Sequence, residues 1–317
     1  MIEYGRADED CLPMNAVEME HVTKTFGATV AVDDLSLAVP VGSIYGFIGP
    51  NGSGKTTTLR MIMRIYLPDR GTIRVLGQEH GGVLDQVTYL PEERMLYKSM
   101  KVYDVLRFFA RLKNYDPTPA EIDQWLDRMQ LSGWGDKKVE ALSKGMTQKV
   151  QLIATLISRP KLVLLDEPFS GLDPVNAVVL RDAILDLRKS GTTVIFSTHD
   201  MNVAEKLCDF IFMIYRGRKV LDGTLADIQR QYGRDTIRVR VAPGSNGVLR
   251  ALPGVISVVD HGNLQELRLS SDADARQILR ILAQQCIVEH FEVAAPNLHD
   301  IFVRIASPTE VGEKVMA

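Results

Sequence analysis

Between about Val17 and Ile228, short apolar runs alternate with stretches of helical periodicity, the rhythm of an α/β sheet protein. Residues 43–49 (SIYGFIG), 161–166 (KLVLLD) and 192–199 (TTVIFSTH) are short, rich in Val, Ile, Leu or Phe, and end in polar residues, so each is predicted to be a buried strand. Residues 57–66, 102–112 and 120–131 carry helical patterns, the last opened by Thr118 as cap and Pro119 in the first turn. A further helix starts at Ser143, with Met146, Val150, Ala154 and Ile157 on one face. It has no Glu or Gln at its third position to complete a capping box, so early N–H groups stay available to an anion. Gly145 permits close backbone approach and Lys144 adds charge. A helical insert is therefore expected at about 100–158.

After Gly233 the pattern changes. Residues 236–241 (strand), 247–252 (helix), 255–260 and 264–270 (strands), 274–285 (helix) and 287–294 (strand) spell β-α-β-β-α-β, the ferredoxin-like order. Pro243, Gly244, Ser245 and Asn246 read as a turn, and 297–306 as a closing helix. The expected organisation is a lead-in at 1–14, an α/β domain at 15–230, a small α+β accessory domain at 231–307 and a tail at 308–317.

Composition narrows the function. Of 317 residues, 45% are hydrophobic and 24% charged, which is globular usage, and the net charge of -3 argues against a nucleic-acid surface. Cys11, Cys208 and Cys286 form neither a disulfide framework nor a zinc spacing, which fits a reducing compartment. The longest apolar runs, 162–165 and 210–215, have strand length, so any work at a membrane needs a partner. The first residues lack the basic-then-apolar order of a signal peptide, and Met14 is a candidate start.

Residues 49–56 (GPNGSGKT) satisfy G-x-x-x-x-G-K-[ST] between a predicted strand and a predicted helix, the context a P-loop requires. The loop of Gly49, Pro50, Asn51, Gly52, Ser53 and Gly54 would curl so that its backbone N–H groups, which Pro50 alone lacks, face the phosphates. Lys55 would add charge near the β and γ groups, and Thr56, followed by Thr57, would offer a hydroxyl to Mg²⁺. Asp166 and Glu167 stand at the tip of an apolar strand, aimed at the crevice beyond the sheet's carboxyl ends. Asp166 is the candidate metal carboxylate and Glu167 the candidate base that polarises water. His199 also ends a strand and faces that crevice, whereas His21, His80, His261, His290 and His299 have no comparable setting.

The P-loop, LSKGM (142–146), LLDEP (164–168), SGLD (170–173) and STH (197–199), in this order, resemble the nucleotide-binding subunit of ATP-binding cassette (ABC) transporters over about 17–230. The resemblance implies an ATPase and a head-to-tail dimer with a second ATPase subunit, identical or different, sandwiching two ATP molecules with Mg²⁺. Ser143, Lys144 and Gly145 would then meet ATP held by the partner, Phe26 would stack on adenine, Asp173 would communicate across the dimer, and His199 would be the switch histidine. Two positions depart from the family: Glu92 stands where it usually has Gln, as a further candidate metal ligand, and LSKGM replaces LSGGQ. The YLPEER and LSKGM forms and the C-terminal region resemble bacterial export ATPases of the sodium or drug extrusion type. These pair with separate ABC-2 type permeases, implying a peripheral place on the cytoplasmic face of the cell membrane. The competing reading is a soluble ABC-type ATPase acting on ribosomes or nucleic acid; such proteins generally carry two cassettes or a long coiled-coil insertion, and neither is found here. A second possibility, compatible with transport, makes the C-terminal domain a small-molecule sensor.

Overall fold

The computed structural model describes residues 15–79, 82–93, 96–232, 236–242, 246–270 and 273–306. The lead-in with Cys11 and Met14, His80, Gly233, the turn at 243–245 and the tail at 308–317 lie outside the described residues. The chain divides into two compact units between Gly223 and Thr224.

The first unit opens with a hairpin of β1 (Asn15–Phe26) and β2 (Thr29–Pro40), turning at Gly27 with φ 58°. Directly after this hairpin, β3 (Ile44–Ile48) leads through the P-loop to α1 (Lys55–Ile62), and β4 (Arg70–Val75) returns to pair with β1, giving an antiparallel sheet of order β2-β1-β4. This sheet escaped the pattern reading because register shifts between Met19 and Val22 and onward to Thr25 break the period of two that would mark a strand. The helix predicted over 57–66 is shorter: α1 stops at Ile62, and Arg64 sits at φ 58°, which no helix continues through.

A second sheet takes β5 (Val87–Leu90), β6 (Leu162–Asp166), β7 (Thr193–Thr198), β8 (Phe210–Tyr215) and β9 (Arg218–Gly223) with β3, in the order β5-β6-β7-β3-β8-β9. All neighbours run parallel except β8 and β9. The three strands predicted from the sequence are its centre. They are buried at every position because alternate side chains enter opposite cores: Val163 and Leu165 on one side, Leu162 and Leu164 on the other. The first core also receives α2 (Val102–Arg111), α3 (Pro119–Arg128), α4 (Lys144–Leu156) and α5 (Pro174–Lys189) through Leu106, Ile122, Val150 and Ile184. α6 (Met201–Leu207) follows β7. Thr118 caps α3 as expected, its hydroxyl accepting from Glu121 N while Glu121 Oε2 accepts from Thr118 N at 2.9 Å, with Pro119 at the first helical position.

The second unit begins with α7 (Leu225–Tyr232) and continues β10 (Thr236–Val241), α8 (Asn246–Leu249), β11 (Val255–Asp260), β12 (Gln265–Leu269), α9 (Ala275–Gln285), β13 (Val288–Ala294) and α10 (Leu298–Ala306). Its antiparallel sheet has the order β11-β12-β10-β13, around Ile237, Val239, Leu267, Ile278 and Leu282. This is the ferredoxin-like arrangement. α8 is a single turn, shorter than the helix predicted at 247–252.

Candidate functional site

The P-loop leaves β3 and wraps the start of α1. Gly52 and Gly54 have φ of 77° and 111°, a region open mainly to glycine. Crowding is the second constraint: a Cβ on Gly54 would stand 2.6 Å from the Ala31 carbonyl oxygen, and one on Gly49 would collide with the Ile214 carbonyl oxygen. The first turn of α1 has no side-chain cap and no acidic residue, so its positive end is free to receive an anion. Beside it lies a cavity of about 240 Å³ bordered by Asn51, Lys55, Thr56, Glu92 and Glu167. Lys55 is buried, and its Nζ donates to the carbonyls of Gly49 at 2.7 Å and Pro50 at 3.2 Å.

The carboxylates at the end of β6 are held from three directions. Asp166, 1% exposed, accepts at Oδ1 from Ser197 Oγ (2.6 Å) and Thr56 Oγ1 (3.1 Å), and at Oδ2 from Tyr89 Oη (3.1 Å). Glu167 takes φ 48°, unusual for a residue with a Cβ, and its N–H donates to Ser197 Oγ at 2.9 Å. One serine hydroxyl therefore ties down both the backbone of residue 167 and the side chain of residue 166. The Glu167 carboxylate lies between two cationic or proton-bearing groups. Lys55 Nζ is 3.5 Å from Oε1, and His199 Nδ1 is 3.0 Å from Oε2. An ionised carboxylate only accepts, so Nδ1 of His199 carries the proton of this bond. Burial, followed by the charge of Asp166, pushes the Tyr89 phenol up to about 12, so it stays a proton donor at neutral pH.

These residues fit a phosphate ligand and a hard divalent cation. Ser53 Oγ is buried without a hydrogen-bond partner in the protein, which is costly unless a ligand answers it, and Glu167 Oε1 has the Lys55 ammonium at 3.5 Å but no hydrogen bond. Thr56 and Asp166 are already in hydrogen-bond contact, and Glu92 borders the same cavity. Among the described residues no cluster of three or more His, Cys, Asp or Glu forms a metal cage. One or two carboxylates with a hydroxyl, completed by phosphates and water, is the pattern that suits Mg²⁺.

Of the other residues singled out from the sequence, Lys144 borders a cavity shared with Glu92, Asp166 and Glu167, and Phe26, Ser143, Gly145 and Asp173 line neither it nor the P-loop cavity. Phe26 closes β1, 43% exposed, with its ring 5.1 Å from the edge-on ring of Tyr66 and Lys24 Nζ at 5.5 Å. Ser143 caps α4, accepting from Met146 N at 3.3 Å, and Met146, Val150, Ala154 and Ile157 face the first core as their spacing predicts. Gly145 lies beside Asn176, and Gln148 Nε2 donates to Ser170 O at 3.1 Å, so the start of α4 adjoins the 170–176 segment. Asp173 caps α5; the N–H groups of Asn176 and Val175 hold its carboxyl below the usual range. Lys144 leans along its own chain, its ammonium 3.4 Å from where a Gly171 Cβ would be.

Ser197 and Tyr89 were missed by motif reading. A signal existed for the first: it precedes His199 by two residues, which on a strand means the same side.

A family model described as ABC transporter matches residues 32–170, and one described as the C-terminal domain of DrrA1-3-like ATP-binding proteins matches 223–306. Among similar chains, the uncharacterized ABC transporter ATP-binding protein YhaQ of Bacillus subtilis is 38% identical over 90% of this chain and 96% of its own length. The daunorubicin/doxorubicin resistance ATP-binding protein DrrA of Streptomyces peucetius is 30% identical over 92% and 93%. The Nod factor export ATP-binding protein I of Paraburkholderia xenovorans is 30% identical over 93% and 98%. A solved structure of an ATP-binding subunit of an ABC transporter superposes with a TM-score of 0.63 and 31% identity, over 69% of this chain and 93% of the other.

Proposed function

The chain belongs to the ATP-binding proteins of ABC transporters, which hydrolyse ATP, and from that premise we propose how its residues divide the work and what it drives. The observation that carries the reading is the Glu167 carboxylate, fixed between Lys55 and His199 at the mouth of the P-loop cavity.

Lys55 turns from the Gly49 and Pro50 carbonyls to the β and γ phosphates, and the backbone of 49–57 encloses them. That release also frees Glu167 from its lysine neighbour. Glu167 then accepts the proton of the attacking water, with His199 holding the carboxylate and the water in line. Phe26 offers its exposed ring to adenine. Thr56, Asp166 and Glu92 are the residues that would hold Mg²⁺, which supplies charge neutralisation at the phosphates.

The site is completed by a second copy of the chain. Ser143, Lys144 and Gly145 begin a helix whose positive end suits the γ-phosphate held by the partner, and Asp173 lies beside that edge. Each chain carries an intact P-loop and an intact α4 start, so two copies close two equal sites. Departure of phosphate removes the charge that held them together.

The driven partner is a separate membrane permease of the ABC-2 type, and the direction is export. Relatives named for drug resistance and Nod factor export support this, and the chain's likeness to transporter subunits over 90% of its length speaks against the ribosome or nucleic-acid reading. Among the described residues no helix is long and apolar enough to cross a membrane, so attachment at the cytoplasmic face would come through the permease. In detergent extracts of cells expressing the tagged chain, a multispanning protein should co-purify; recovery with ribosomes instead would overturn the transport partner.

A further inference from the structure

Asp166 is gripped on both oxygens, and the two grips differ in kind. Thr56 and Ser197 approach Oδ1 from α1 and β7. Tyr89 approaches Oδ2 from the other side, on β5, three residues before Glu92. The Tyr89 hydroxyl has a constraint of its own, because the Arg60 guanidinium of α1 interacts with it while also donating to Tyr66 Oη at 3.3 Å. A guanidinium can only donate. The Tyr89 oxygen therefore faces a donor in Arg60, and its single proton goes to Asp166 Oδ2 at 3.1 Å. Tyr89 and Arg60 also border a largely apolar cavity of about 530 Å³ formed with Phe109, Leu112 and Ala154, away from the P-loop cavity.

We propose that Tyr89, oriented by Arg60, is a positioning residue for Asp166: by occupying Oδ2 it keeps Oδ1 turned toward Thr56, where the divalent cation is to be held. This rests on the reading of Asp166 as the cation's carboxylate. The P-loop motif itself makes no demand on this position, which lies on β5. Partners that orient a metal-binding side chain typically contribute about 10- to 100-fold in metal affinity.

Tyr89→Phe removes the hydroxyl and keeps the ring. Mn²⁺ is titrated into the full chain with a non-hydrolysable ATP analogue, free Mn²⁺ being read from its paramagnetic signal. Cation binding should weaken about 10-fold, at the low end of that range, while affinity for the analogue without metal stays at the wild-type value. Asp166→Asn should weaken it more. Wild-type cation affinity in Tyr89→Phe alongside a loss in Asp166→Asn overturns the positioning role. Wild-type affinity in both overturns the reading of Asp166 itself. If Tyr89→Phe fails to fold, Arg60→Gln carries the test: weaker cation binding supports the role, and unchanged binding overturns it.

Discussion

Two helices of the first unit begin beside a glycine, on opposite terms. At α1 the chain's own fold demands glycine: Gly54 has φ 111°, a Cβ there would stand 2.6 Å from the Ala31 carbonyl, and Gly49 has no room against Ile214. At α4 the fold demands nothing of the kind. Gly145 sits within a helix capped by Ser143, and a Cβ would meet only the Asn176 side-chain amide at 3.0 Å. Glycine inside a helix costs about 0.5–1 kcal/mol relative to alanine. The first glycines are explained by this chain alone; the second has a cost and no internal reason. Under the proposed function its reason lies on the other subunit, where a triphosphate must come close to the α4 backbone.

The contrast breaks most sharply with Gly49→Ala. Its collision is with backbone that cannot step aside, so nucleotide affinity should fall at least about 100-fold, some 2.7 kcal/mol, by titration with a fluorescent ATP analogue. Gly145→Asp should leave that affinity unchanged, yet lower steady-state turnover about 10²- to 10³-fold by placing a carboxylate where a phosphate oxygen must come. A parallel loss of nucleotide affinity in Gly145→Asp would mean that α4 serves its own chain's site, erasing the distinction. Ser197→Ala strips a partner from the Glu167 N–H and from Asp166 together, and should lower unfolding stability by about 1–3 kcal/mol in urea titrations. The smallest effect sharpens the comparison from the other side. Gly145→Ala should raise stability by roughly 0.5 kcal/mol, with the Asn176 amide moving slightly, while turnover falls.

The α1 side was legible in the sequence because its chemistry is written contiguously, in 49–56, and because the strands that aim Asp166, Glu167 and His199 are fully buried runs. What sequence reading lost, it lost for identifiable reasons. β1 and β2 are half-exposed and bulged, so their alternation is interrupted near Val22. α1 ends four residues before its apolar pattern does, because Arg64 adopts a left-handed conformation. Ser197 and Tyr89 open the STH and YLPEER stretches without a role of their own being legible there; a hydroxyl in an apolar strand shows its purpose only when a neighbouring strand brings Asp166 to it. Lys144, expected to add charge at the start of α4, is exposed, with its ammonium beside Gly171 of its own chain. The α4 start showed in its own residues as a helix end open to an anion; a partner chain as the source of that anion came only from the family resemblance.

The central claim is that each catalytic site takes its P-loop from one chain and its α4 start from another, and complementation tests it directly. Lys55→Ala and Gly145→Asp chains, each inactive alone, are mixed and their ATP turnover measured across mixing ratios. A mixed dimer contains one site with an intact P-loop from the Gly145→Asp chain and an intact α4 from the Lys55→Ala chain, so turnover should reappear and peak near equal amounts. A mixture as silent as its components at every ratio would contradict the account.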